Sequence, residues 1–117
     1  MKKLWKLEQL EELKSKYVKE VVQRIEDVIT ILNEHYEGES RNVNEELGGY
    51  VIVIDNEKEV KSIQSEILKD IIPEFTDEIK SDEGITYYSS LFLLSSDYAV
   101  TIYSNKELHE LLLGKVL

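Results

Sequence analysis

No cysteine occurs among the 117 residues of the chain. That excludes a disulfide framework, a thiolate zinc site and a cysteine nucleophile. Histidine is nearly absent too, with only His35 and His109 available as imidazole bases or ligands. One proline and five glycines leave few places where regular structure must stop. No apolar run approaches the roughly 20 residues of a membrane span. Cations are also short: 14 Lys and Arg stand against 24 Asp and Glu, a formal charge of −10. Such a deficit opposes binding to nucleic-acid phosphates, so no direct nucleic-acid contact is expected.

What is present fits one soluble domain over residues 1–117. Apolar residues make up 42% and charged residues 32%, which suits a packed core and not a disordered chain. The charge is unevenly placed. Residues 1–36 hold seven Lys and Arg and seven Asp and Glu; the rest hold seven against seventeen. All the excess negative charge therefore follows the first element. Lys2, Lys3 and Lys6 with Trp5 resemble a signal-peptide start or a membrane-touching segment, but Glu8, Glu11 and Glu12 interrupt both. The expectation is a cytoplasmic protein without a membrane partner.

Residues 4–36 contain no Gly or Pro and carry helical spacing. Leu10, Leu13, Tyr17, Val21, Ile25, Val28 and Leu32 recur at steps of three and four. The pattern predicts a long N-terminal helix over 1–36, about 50 Å if continuous. Lys14 falls on its apolar face, so a break near 14–16 or a projecting start are the alternatives. A helix longer than the domain needs a partner, which points to a homo-oligomer through this element.

Residues 37–47 read as a polar loop. Gly48-Gly49 opens Tyr50-Val51-Ile52-Val53-Ile54, a strand buried on both faces. Asn56 with Glu59 forms a capping box for a second helix through Ile71, which Pro73 stops. A short helical turn is expected over 74–80 and a turn at Asp82-Glu83-Gly84. Ile85–Leu94 and Ala99–Tyr103 form a hairpin around Ser95-Ser96-Asp97. Ser104-Asn105-Lys106-Glu107 is a capping box for a last helix, which Gly114 closes. The expected architecture is α+β: a long N-terminal helix, then a three-stranded sheet with two further helices, in the order α-β-α-β-β-α.

No catalytic motif emerges. The pairs Asp55/Glu57, Asp77/Glu78 and Asp82/Glu83 sit in no inferable apolar pocket, as acid–base work requires. Ser89-Ser90 and Ser95-Ser96 lack a nucleophile elbow. Gly48-Gly49 precedes a strand, whereas phosphate loops follow one. No calcium loop is present, and His109 is expected to face solvent. The seven tyrosines suit core edges or a protein interface. Neither cofactor nor metal is expected.

The functional candidates are therefore the carboxylates. Glu74, Asp77, Glu78, Asp82 and Glu83 lie within ten residues, opposed only by Lys80. Glu37, Glu39, Glu45 and Glu46 form a second set around Arg41. A dense carboxylate surface attracts and orients a protein partner with a basic surface.

Gly48-Gly49-Tyr50-Val51-Ile52-Val53, Ile72-Pro73-Glu74-Phe75 and the hairpin Leu91-Phe92-Leu93-Leu94, Asp97-Tyr98, Thr101-Ile102 together resemble small acidic proteins of bacterial phages and mobile elements. The resemblance covers about half the chain and implies binding over catalysis, including inhibition of a host defence protein. It transfers no site residue. The expectation is a non-catalytic protein-interaction module. A structural homo-oligomer is the second reading, and a small-molecule binder or enzyme near His35 and the tyrosines the third.

Overall fold

The computed structural model describes residues 3–37, 48–95 and 98–114, with only the backbone at 33, 35–37 and 48. The expected second acidic set (the side chain of residue 37 and residues 39, 45 and 46, with residue 41), the side chain of residue 35 and the tip of the 95–97 turn lie outside this description.

Five strands form one mixed sheet in the order β1-β2-β5-β4-β3. They are β1 (Lys3–Leu4), β2 (Gly48–Val53), β3 (Phe75–Lys80), β4 (Thr86–Ser95) and β5 (Tyr98–Asn105). The helices are α1 (Lys19–Glu37), α2 (Glu57–Ile63) and α3 (Lys106–Leu112). The fold is α+β, but the expected three-stranded sheet and α-β-α-β-β-α order are wrong. The observed order is β-α-β-α-β-β-β-α. β2 and β5 are parallel; the other pairs are antiparallel.

Each sheet face has its own core. Val51, Val53, Ile79 and Tyr103 pack with Val21, Val22, Ile25 and Ile29 of α1. Tyr50, Ile52, Phe92, Val100 and Ile102 pack with Val60 and Ile63 of α2 and Leu108 and Leu112 of α3. The period-two alternation of β2 thus serves two layers at once, as its unbroken apolar run predicts. β2 and β5 approach closely at Gly49. Its φ is +124°, and a Cβ there would lie 1.8 Å from the Ala99 carbonyl oxygen. Only glycine fits.

The N-terminal segment is not the predicted helix over 1–36. Lys3 and Leu4 pair with Ile52 and Val51 as an edge strand. Leu7–Glu12 form a 3₁₀ turn. The Gln9 carboxamide oxygen accepts from the Trp5 and Lys6 backbone N–H groups at 2.8 and 3.0 Å. That local capping competes with α-helix at this point. Leu10 and Leu13 are buried in the α1-side core while Lys14 stays in solvent. A continuous helix would have buried Lys14; the break after Leu13 avoids this. The 19-residue α1 is about 28 Å long and fits the 45 Å body.

Three further expectations are corrected. Residues 75–80 are a strand, not a helical turn. α2 ends in a π turn over Gln64–Leu68, closed by Lys69 N–H to Gln64 O at 2.7 Å, short of the expected end near Ile71. Asn105, not Ser104, caps α3: its side chain accepts from the Leu108 N–H at 2.9 Å. Ser104 is buried in β5. The Asn56 cap of α2 forms as its sequence suggests, accepting from the Glu59 N–H at 3.0 Å. Gln64 then ties the two helices of that layer, donating to the Leu111 and Leu112 carbonyls at the C-terminal end of α3 at 3.0 and 3.1 Å.

Candidate functional site

Strand β3 carries the expected cluster. Pro73 prevents helix from continuing into it. Phe75, Asp77 and Ile79 then alternate with Thr76, Glu78 and Lys80. β3 pairs with β4 from Phe75↔Leu91 to Lys80↔Thr86. The turn back is built by Ser81, whose N–H donates to the Ile85 carbonyl at 2.9 Å and whose hydroxyl accepts from the Ile85 N–H at 3.0 Å. β3 is the last strand of the sheet. Among the described residues nothing pairs with its outer edge.

Strand geometry divides the five carboxylates. Asp77 turns to the α1 side, where Arg24 Nη1 donates to it at 2.7 Å. That bond holds its carboxyl below the usual carboxylate range, helped by the Glu78 N–H. Glu78 turns to the α3 side, where the Tyr88 hydroxyl donates to it at 3.4 Å. Asp82 sits in the turn, 3.5 Å from Lys19 Nζ, and its N–H donates to Glu20 at 2.8 Å. Glu74 and Glu83 are exposed at the two ends. The cluster is thus a rim along one sheet edge and not a single face. Two of its members are tied to α1. Glu74, Glu78 and Glu83 have no salt bridge among the described residues.

Apolar side chains lie at the start of the same edge. Ile72 is 78% exposed and Phe75 60%, with Ile71 and Leu93 also in solvent. Phe75 is opposite Leu91, so Leu93, two residues further along β4, shares its face. On the other face, Thr76, Glu78, Tyr88, Lys106, His109 and Glu110 line a groove of about 290 Å³. The expectation of a solvent-facing His109 is wrong: it is buried, and its ring stacks on Tyr88 at 4.9 Å between centroids.

A second cleft of about 490 Å³ opens beyond the C-terminal end of β2. Lys16, Tyr17, Asp55, Lys58 and Glu59 are among its residues. Its polar groups are largely engaged with each other. The Tyr17 hydroxyl donates to Asp55, and Glu59 accepts from the Asp55 N–H and the Asn56 side chain. Burial first, then the bond to Asp55, push the Tyr17 hydroxyl far above the ordinary tyrosine range. Among the described residues no three His, Asp or Glu gather as a metal site, and no helix is long and apolar enough to cross a membrane.

Reading the sequence missed Ile72, Phe75, Tyr88 and Glu110 as companions of the carboxylates. The signal was the six-residue alternation from Phe75 to Lys80, obscured by its three charged residues. Compared with known proteins, the chain matches no family model, no curated protein and no solved structure.

Proposed function

We propose that the protein is a non-catalytic interaction module that binds a basic protein surface along the β3 edge. The observation that carries this reading is the coincidence of three features along one edge strand and its two ends. These are carboxylates at Glu74, Glu78 and Glu83, exposed apolar groups at Ile72 and Phe75, and an open backbone edge. Asp77 and Asp82 contribute through their charge while α1 holds them in place. A partner that uses its cationic surface to bind nucleic acid would be blocked by such a rim. The resemblance to small acidic phage proteins favours that inhibitory form.

The test compares the wild-type chain with a Glu74→Lys, Glu78→Lys, Glu83→Lys variant in affinity capture from host extract. A protein held by the wild type, lost by the variant and released at about 0.5 M salt is expected, because exposed charge contacts are screened. An identical set of captured proteins, or none, would overturn the reading.

A further inference from the structure

We infer that the partner binds as a sixth strand: an extended segment alternating cationic and apolar side chains, added to the outer edge of β3. The inference rests on the proposed interaction reading and specifies its geometry. The Ser81–Ile85 pair is hydrogen-bonded across the ladder. Antiparallel pairing alternates with period two. Counting back along β3, the N–H and C=O groups of Thr76, Glu78 and Lys80 therefore point to the open edge, although the Glu78 N–H already donates to Asp77 Oδ1 at 2.8 Å. They form a template for main-chain hydrogen bonds.

The two faces beside that edge differ chemically. On the α3 side, an added strand lies about 4.8 Å from β3 and sends every second side chain toward the groove. There Glu78 and Glu110 outnumber Lys106, and the Tyr88 ring lies among the lining residues. A lysine or arginine stem is favoured at these positions, with its charge near the two carboxylates. On the α1 side, Asp77 is already held by Arg24 and Ile79 is buried. The remaining free surface is Phe75, which an apolar side chain covers. A second copy of the chain does not fit this edge. Antiparallel pairing of β3 with itself, centred on Glu78, would set that carboxylate directly opposite its own counterpart, and like charges there are destabilising.

The probes are two capped hexapeptides of the same composition. One alternates valine and lysine; the other places the three valines before the three lysines. Titration into the 117-residue protein is followed by NMR, with amide hydrogen exchange read at Thr76 and Lys80. The alternating peptide is expected to bind about tenfold tighter than the block isomer, the equivalent of one or two added hydrogen bonds. It should slow exchange at those two amides. Thr76→Pro removes one outward N–H without changing charge and should erase most of that advantage. Equal binding of the two peptides with unchanged exchange would overturn strand addition while leaving a salt-sensitive basic partner in place. Binding of neither peptide, or binding unaffected by the Glu74→Lys, Glu78→Lys, Glu83→Lys changes, would overturn both readings. Protection of the two amides that grows with protein concentration, without peptide, would assign the edge to a second copy and overturn the inference.

Discussion

Tyr103 shows how burial fixes the behaviour of one hydroxyl. It sits in the core between the sheet and α1, and burial raises its pKa from 10.0 to about 12, with Arg24 opposing and Asp77 adding to the shift. Burial likewise raises Tyr87, its neighbour on that side. The sign of the pH effect follows from proton counting. Above about pH 10 the unfolded chain has lost the Tyr103 proton, while the folded chain keeps it to about 12. Stability is therefore full below pH 10 and falls as pH rises between these values. Tyr103→Phe has no proton to lose. Urea unfolding at successive pH values should show the wild type losing about 2 kcal/mol relative to the variant across that window. Parallel curves would mean that the hydroxyl is solvated in the folded state.

At the scale of elements, local signals were legible wherever one backbone choice satisfied the side chains. The Asn56 cap and the doubly buried β2 are read directly from their residues. The start of α3 was not, because two capping residues stand side by side. Ser104-Asn105-Lys106-Glu107 offers a serine box, yet β5 runs one residue longer and leaves the cap to Asn105. Pairing of Ser104 with Tyr88 in the β4–β5 ladder decided the register. Asn105→Ala should cost about 1 kcal/mol, the usual loss of a side-chain cap. Ser104→Ala should be near neutral or slightly stabilising, because its buried hydroxyl has no hydrogen-bond partner among the described residues. Thermal unfolding of the two single variants distinguishes the caps, and the reverse ranking would return the role to Ser104. β3 was misread for a similar reason. Its alternation holds only six residues, and Asp77 turns inward because Arg24, 53 positions away, meets it. No local pattern carries that information.

For the whole molecule, the misread N-terminus changes what the chain needs from a partner. A 50 Å helix would have left apolar surface for a second copy to cover. Instead, α1 covers one sheet face and α2 with α3 cover the other, so helix length no longer argues for self-association. The pattern of Leu10, Leu13 and Tyr17 was real, but it describes residues facing one core from a 3₁₀ turn and a bend. The carboxylate rim was legible as a run of acids; its division between two sheet faces was not, since that follows from strand pairing. The sharpest test of this arrangement is deletion of residues 1–16. It removes the buried Leu4, Leu10 and Leu13 and uncovers the β2 edge that β1 protects. The lost burial is worth about 5 kcal/mol or more, comparable to the roughly 5–15 kcal/mol of a whole domain. The bared edge of β2, flanked by apolar residues on both faces, would also be free to pair with other chains. Circular dichroism and light scattering should therefore find the truncated chain unfolded or aggregated at micromolar concentration. A folded, monodisperse product would mean that the segment projects from the body, as a continuous helix would, and contributes nothing to the core.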